Sequence, residues 1–226
     1  MSRAQQFAVG AALVLSMACG GEDPDPNPGT STQPLLPWEA GNTWTYRVTD
    51  NGVVSTKVTT VGELGPVGGA GPNKDVLAYH VVTTKSDGVD KTESWQAVEG
   101  DRVVRYREIS FSAKTGQPTL EEHWAPHKLR IDSSAERTKV GAMWREEYQE
   151  TKIPAGAAAT TEPAADLWFV DALEDIEVPG RGTMTAVLVR KVSDTGSVKR
   201  YWFVPGVGKV REEGGQLEEL VDFTVQ

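Results

Sequence analysis

Residues 43–61, with the sequence TWTYRVTDNGVVSTKVTTV, determine the fold class that we expect for the whole chain. In the first part of this stretch, Trp44, Tyr46 and Val48 alternate with threonine and arginine. An apolar residue at every second position is typical of a β-strand that buries one face. Asn51-Gly52 follows, and this pair favours the tight turn of a β-hairpin. The stretch therefore predicts two antiparallel strands joined by a short turn.

The same alternation and the same kind of turn continue to the C-terminus. Val221, Phe223 and Val225 alternate with polar residues, and no stretch sustains the period of an amphipathic helix. Two stretches rich in glycine or alanine, 62–74 and 154–166, are predicted to be mobile loops. We therefore expect an all-β, mainly antiparallel meander that forms a barrel, a half-barrel or a sandwich. Predicted strands cover residues 43–50, 53–61, 76–85, 91–98, 102–111, 119–125, 143–152, 168–178, 183–193, 198–204, 209–213 and 217–225.

Similar motifs recur in the two halves of the predicted β domain. The tetrapeptide Gly41-Asn42-Thr43-Trp44 corresponds to Gly141-Ala142-Met143-Trp144, and further correspondences follow in the same order. Self-similarity of this kind predicts a duplication, with repeats at 38–130 and 137–226. Independent convergence of hairpins is the alternative explanation.

The N-terminal segment is short and apolar. Residues 7–18, FAVGAALVLSMA, are too few to span a bilayer, which takes roughly 20 residues, and they fit the apolar core of a secretory signal. Ser16-Met17-Ala18-Cys19 resembles a bacterial lipobox, although Ser16 stands where leucine is usual. We therefore expect a signal peptide of residues 1–18, removed to leave Cys19, the single cysteine of the chain, carrying palmitate-type lipid. Plain secretion with an incidental cysteine is the alternative.

A polar spacer follows the expected lipidation site. Residues 20–37 are rich in glycine, proline, aspartate, serine and threonine, a composition that buries too little apolar surface to order itself. We therefore predict a lipidated cysteine and disordered tether at 19–37 and a β domain at 38–226, with the lipid on Cys19 as the membrane contact. Gly20 and Gly21 lack the acidic residue that often retains lipoproteins at the inner membrane of enteric bacteria. This resemblance favours the outer membrane of a Gram-negative envelope.

The charge and the motifs exclude several classes of function. With 23 basic and 32 acidic residues the formal net charge is −9, which argues against nucleic acid as a partner. The sequence has no nucleophile elbow, zinc-protease motif or phosphate-binding glycine loop, so we expect no enzyme activity and no cofactor. His123 and His127 are four residues apart, but the intervening Pro126 favours a strand or turn, so no metal site is expected. A hydrolase built from scattered carboxylates is an alternative, and it requires two inward-facing carboxyl groups in one cleft.

Seven tryptophans are many for a domain of this size. Four lie at repeated positions on apolar faces, where core packing is the expected role. Trp38, Trp124 and Trp168 are less constrained, and we consider them as candidate ligand-binding residues. An exposed subset could line an apolar groove or stack on sugars, so a saccharide-binding module is a second alternative.

Two further stretches carry a family resemblance. GNTWTYRV at 41–48 and YWFVPGVGKV at 201–210 resemble bacterial lipoproteins to which no activity is assigned, including myxobacterial ones. The resemblance implies a β-rich domain similar to the half-barrels of periplasmic lipoprotein carriers. Together with the lipobox it favours a non-enzymatic, envelope-anchored lipoprotein that binds or scaffolds something, either an apolar ligand or an envelope protein.

Overall fold

The computed structural model describes residues 32–85 and 91–226, and these residues form a closed antiparallel barrel. Each strand pairs with its neighbours in sequence, and the first strand pairs with the last, which closes the sheet. The expected all-β antiparallel meander is confirmed, and its form is the barrel. The strands are β1 (Thr43–Asp50), β2 (Val53–Pro66), β3 (Leu77–Lys85), β4 (Lys91–Glu99), β5 (Arg102–Phe111), β6 (Pro118–Asp132), β7 (Met143–Pro154), β8 (Thr160–Val178), β9 (Gly182–Ser193), β10 (Val198–Val204), β11 (Gly208–Gly214) and β12 (Gln216–Thr224).

The quoted hairpin is the start of the barrel. Asn51 and Gly52 have φ angles of 47° and 82°, and this left-handed backbone is what a tight hairpin turn requires. Trp44, Tyr46 and Val48 of β1 are buried, as the alternation predicts. Trp44 pairs with Phe223 of β12, so the last strand closes the sheet onto the first.

Both stretches predicted to be mobile loops are partly strand, so these two predictions are wrong in extent. β2 runs beyond its predicted end to Pro66, because a bulge between Val61 and Leu64 lets the strand continue its pairing with β3. β8 begins at Thr160, and its first residues pair with β7. In both cases pairing with a long neighbouring strand outweighs the low strand propensity of glycine, alanine and proline.

The predicted boundary between tether and domain also needs correction. Leu35 and Leu36 lie inside the range assigned to the tether, yet they are buried, with Leu35 only 1% exposed. The backbone of this segment is bonded to the barrel, since Gly206 N donates to Pro34 O at 3.0 Å and Leu35 N donates to Ser133 Oγ at 3.0 Å. We call residues 33–38 the strap, and it closes the end of the barrel at which β1 begins. The reason is that two leucines and a tryptophan supply enough apolar surface to fold onto the barrel.

Several predictions fall outside the described residues. The signal peptide, Cys19 and the first part of the tether all lie in residues 1–31. Among the residues that are described, none forms a helix long and apolar enough to cross a membrane.

The two halves of the barrel contain the same turn at equivalent places. Gly41 N donates to Val61 O at 2.9 Å, and Val61 N donates to Asn42 O at 2.9 Å. One half-barrel later, Gly141 N donates to Val170 O at 2.8 Å, and Val170 N donates in turn to the oxygen of residue 142 at 2.9 Å. A bulge follows Val61 in β2 and Val170 in β8. The duplication stays a prediction. Equivalent hydrogen bonds and bulges in the two halves are what a duplicated sequence would produce.

Candidate functional site: the charged interior of the barrel

The barrel encloses a cavity of about 450 Å³, a size typical of small-molecule sites. Its floor lies at the end closed by the strap, where Leu36 and Trp38 line it. Towards the other end, where the turn between β1 and β2 lies, Lys91 and Lys199 line the cavity with side chains 45% and 42% exposed. The deeper Lys209 side chain is only 11% exposed. The cavity therefore opens at the end where β1 turns into β2.

The cavity wall is rich in positive charge although the protein is acidic. Eight basic and three acidic residues line it. Two of the lysine pairs are direct cross-strand partners: Lys57 faces Lys85 across β2 and β3, and Lys191 faces Lys199 across β9 and β10. Like charges placed directly opposite one another destabilise a sheet. The basic residues are Lys57, Lys85, Lys91, Arg105, Arg130, Lys191, Lys199 and Lys209, and the acidic ones are Glu108, Glu212 and Glu218.

Part of this charge is neutralised by a buried cluster around Lys209. The Nζ of Lys209 donates to Glu218 Oε2 at 2.7 Å and also to Glu212, while Lys199 Nζ donates to Glu212 Oε1 at 2.8 Å. Burial alone would lower the pKa of Lys209, but the two carboxylates outweigh burial and raise it. Tyr46 adds its ring face at 4.9 Å from the ammonium group. Lys57 Nζ also donates to Glu218, so the two carboxylates together hold three lysines in one satisfied network.

Two lysines of the cavity wall are held at reduced basicity. Burial, assisted by the nearby charge of Lys209, lowers the pKa of Lys57 to about 8. Burial likewise lowers the pKa of Lys191 to about 8, even though its Nζ lies 3.2 Å from Asp166 Oδ2. Both groups therefore carry their positive charge at a cost that an added anion would relieve.

Several buried polar atoms of cavity-lining residues have no hydrogen-bond partner. Within the described ranges these are Trp38 Nε1, Arg105 Nε, Arg130 Nε and Gln96 Oε1, which are three donors and one acceptor. Arg130 also forms no ion pair with any described carboxylate. Nearly all buried polar groups in folded proteins are paired, so unpaired ones in a cavity need an explanation. A surplus of donors suits a ligand rich in acceptors.

Aromatic rings line the cavity beside the charged groups. Trp168 and Tyr201 stack with ring centroids 6.3 Å apart, and Phe203 follows at 6.0 Å from Tyr201. Near the floor Trp38 stacks on Trp44 at 5.4 Å. The wall is therefore neither uniformly polar nor the continuous apolar surface that a lipid chain would need.

The structure places the three candidate tryptophans inside the barrel instead of on an exposed face. Trp38, Trp124 and Trp168 are 8%, 1% and 1% exposed. Trp38 and Trp168 line the cavity, whereas Trp124 is covered by Arg105 and donates from Nε1 to Glu150 at 2.9 Å. A row of exposed tryptophans for stacking on sugars is thus not formed by these three residues.

The two histidines of the predicted turn belong to different clusters. His123 is buried, with Nε2 at 2.8 Å from Glu121 Oε1, and burial lowers its pKa. His127 lies 3.7 Å from Glu99. In residues 32–85 and 91–226, no three side chains of the metal-ligating types are grouped to hold an ion.

The carboxylate pair that a hydrolase would need is present in geometric terms. Glu212 and Glu218 are cross-strand partners, both line the cavity and both accept from Lys209. Burial opposes their ionisation, but the ammonium group of Lys209 outweighs it and holds the pKa of both carboxyls low. Acid–base hydrolysis needs one of the two carboxyls to stay protonated. This pair lacks that acid at neutral pH.

Two solved structures have a fold similar to that of this chain. No family model and no curated protein matches the chain. A protein from Bacteroides fragilis, assigned as exported and as having a YmcC-like fold, superposes with a TM-score of 0.52 at 11% identity, over 85% of this chain and 99% of that one. The chain has a similar fold. A protein from Parabacteroides distasonis, assigned as a lipoprotein, superposes with a TM-score of 0.50 at 13% identity, over 86% of this chain and all of the other.

Sequence reasoning missed the cationic interior. The inner residues of β2, from the closed end outward, are Val61, Thr59 and Lys57, and those of the paired β3 include Thr83 and Lys85. A valine, a threonine and a lysine at alternate positions, present in both strands, are the signal that could have identified an inward row of lysines. The solvated outer face is the more common place for such lysines, and for that reason they were not singled out.

Proposed function

We propose that this protein is an envelope-anchored lipoprotein whose barrel binds a small anionic ligand in its interior. The observation that carries the proposal is the excess of basic over acidic residues on the cavity wall, together with Arg130, whose Nε has no hydrogen-bond partner and which forms no ion pair with a carboxylate of the described residues. Charges removed from water are costly unless they are paired. A bound anion would supply Arg130 with the partner that it lacks among the described residues.

The same wall argues against a purely apolar ligand, one of the two alternatives that the sequence leaves open. A lipid chain would desolvate Arg130 without giving it a counter-ion, at a cost of several kcal/mol, and would place apolar surface against the charged groups of the wall. The interior also argues against a pure scaffold, because a scaffold has no need of a half-buried arginine whose buried Nε lacks a partner, as in Arg130. Binding without chemistry is the role that we propose, since the Glu212 and Glu218 pair lacks a proton donor.

The envelope location rests on the sequence and on the two similar structures. Cys19 follows a signal-like segment, and the solved proteins of similar fold are assigned as exported or as a lipoprotein. The strap follows the tether and closes one end of the barrel. Anchored through Cys19, the barrel would therefore have its closed end nearest the tether and its mouth towards the aqueous side. Outer-membrane residence is part of the proposal.

Lipidation is tested by metabolic labelling with a palmitate analogue. The native chain should incorporate the label and partition with membranes, and Cys19→Ser should lose both. An unlabelled native chain, or a Cys19→Ser variant that still partitions with membranes, would contradict the anchored location.

Anion binding is tested by thermal unfolding of residues 20–226, which contain the complete barrel and its core. Phosphate, sulfate, citrate and 2-naphthoate are compared with sodium chloride at equal ionic strength. A ligand at a hundred times its Kd stabilises by ~2.7 kcal/mol, which raises the Tm of a domain of this size by about 5–10 °C. At least one of the anions should do so. Arg130→Gln should lose the shift, and Arg145→Gln on the outer face should keep it. The proposal fails if none of the four exceeds chloride, or if Arg130→Gln keeps the full shift.

A further inference from the structure

The cavity wall contains a cation, aromatic rings and an unpaired hydrogen-bond acceptor, and each of these favours a different group on a ligand. Arg130, with its unpaired Nε, offers a cation. Trp168 and Tyr201 offer stacked rings in the same cavity, where the charge of Arg130 acts on Tyr201. Gln96 offers a buried acceptor, because its Nε2 donates to Ser94 Oγ at 2.8 Å while its Oε1 has no partner.

The unpaired amide oxygen is the most specific of these features. Gln96 is only 4% exposed, so bulk water cannot supply the missing donor freely. A buried acceptor left unsatisfied is destabilising, and the site gains affinity when a ligand hydroxyl or amine donates to it. Inorganic phosphate has no ring to pack against Trp168 and Tyr201. A fatty acid carboxylate at neutral pH has neither a ring nor a donor for Gln96 Oε1.

From this combination we infer that the ligand is a planar organic anion that carries a hydrogen-bond donor. Its anionic group pairs with Arg130, its ring packs against Trp168 and Tyr201, and its donor reaches Gln96 Oε1. The inference rests on the proposed binding of an anion in the cavity and adds the chemical class of that anion. A cavity of about 450 Å³ accommodates a ligand of one or two fused rings.

The rings supply the part of the recognition that inorganic anions cannot use. Aromatic pairs prefer offset or edge-to-face arrangements with centroids 4.5–7 Å apart, and the spacing of Trp168 and Tyr201 already follows this preference. A planar ligand can join such a row without reorganising it. A flexible alkyl chain would bury similar apolar area but would lose its own conformational freedom on binding.

Isothermal titration calorimetry of residues 20–226 with defined probes tests the inference. The probes are 6-hydroxy-2-naphthoate, 2-naphthoate, octanoate and inorganic phosphate at constant ionic strength. We expect 6-hydroxy-2-naphthoate to bind about five-fold more tightly than 2-naphthoate, which lacks the donor, and at least ten-fold more tightly than octanoate or phosphate. Arg130→Gln should weaken both naphthoates by ten-fold or more. Gln96→Leu should remove the preference for the hydroxyl, so that the two naphthoates bind this variant within about two-fold of each other.

The outcomes separate this inference from the proposed function. If phosphate or octanoate binds as tightly as the naphthoates and depends on Arg130, an anion site exists but the planar class is wrong. If the hydroxyl preference survives Gln96→Leu, the donor assignment is wrong. If no probe binds and none stabilises the barrel, the proposed function fails as well. Arg145→Gln is the matched control, because this arginine lies on the outer face beside Glu147, and its titrations should equal those of the native chain.

Discussion

Glu146 offers the sharpest test of how the barrel tolerates charge in its interior. This residue of β7 lies where β7 separates from β6, and its carboxylate accepts from Leu129 N of β6 and from Trp168 Nε1. Burial raises the pKa of Glu146 from the ordinary value of 4.5 to about 7, and these two hydrogen bonds only partly oppose the rise. The folded protein therefore keeps a proton on Glu146 over a range of pH in which the unfolded chain has lost it.

The sign of the pH dependence follows from that difference in proton binding. Between pH 4.5 and 7 the folded state holds more protons at this site, so the free energy of unfolding decreases as the pH rises. Because a tenfold change in an acid constant corresponds to ~1.4 kcal/mol, the full loss is about 3 kcal/mol, of which about 2 kcal/mol falls between pH 5.5 and 8. Glu146→Gln removes the titration and keeps an amide oxygen that can accept from Leu129 N.

Urea unfolding of the native chain and of Glu146→Gln at pH 5.5 and pH 8 measures the effect. The free energy of unfolding of Glu146→Gln minus that of the native chain should be about 2 kcal/mol larger at pH 8 than at pH 5.5. The control is Glu147→Gln, a neighbouring carboxylate on the outer face whose side chain is 72% exposed, and it should stay within about 0.5 kcal/mol of the native chain at both pH values. A Glu146→Gln variant that gains nothing on going to pH 8 would show that the carboxyl is not held protonated by burial, and the reasoning would fail.

Three further predictions concern the cavity and its closure. Lys209→Met should lower the free energy of unfolding by about 2–4 kcal/mol in urea denaturation, because it removes the cation that the two buried carboxylates Glu212 and Glu218 share and leaves each of them with one lysine. Leu35→Ala should cost about 2–4 kcal/mol by the same measurement, since Leu35 is fully buried in the strap, whereas the 63% exposed Leu77 should tolerate the change to alanine within about 0.5 kcal/mol. Binding of an anion should raise the pKa values of Lys57 and Lys191 from about 8, so the complex should take up part of a proton at pH 8.5. Calorimetry in two buffers of different ionisation enthalpy detects this uptake, and equal heats in both buffers would contradict it.

The strand content could be predicted from the sequence because hairpins are local. The turn at Asn51-Gly52 and the alternation on both sides of it lie within one short stretch, so position and register follow together. The strand ends were predicted less well. β6 extends to Asp132, beyond its predicted end at residue 125, because it pairs there with β5, and a single sequence does not show which partner is present.

The closed form of the sheet could not be predicted for a related reason. Closure depends on the pairing of β1 with β12, which joins Trp44 to Phe223 across almost the whole domain. A barrel, a half-barrel and a sandwich share the same local patterns and differ only in this last pairing. The strap was missed similarly: its leucines follow a proline-rich segment, and their burial depends on contacts such as that with Ser133.

Alternation of apolar and polar residues shows that a strand has an inner and an outer face. It does not show that the surroundings of the inner face change along the strand. Along the inner face of β10, Phe203 lies towards the closed end, Tyr201 in the middle and Lys199 near the mouth, and β2 shows the same gradient with Val61, Thr59 and Lys57. One face of one strand therefore serves as core at one end and as a charged cavity wall at the other. A uniform apolar inner face would have collapsed into a filled core, and a uniform charged one would have had no apolar contacts to stabilise the closed end. The gradient satisfies both requirements, and it brings cations and aromatic rings together where the two parts of the inner face meet, as Lys191 over the ring of Trp168 shows. A planar anionic ligand would use both kinds of group there.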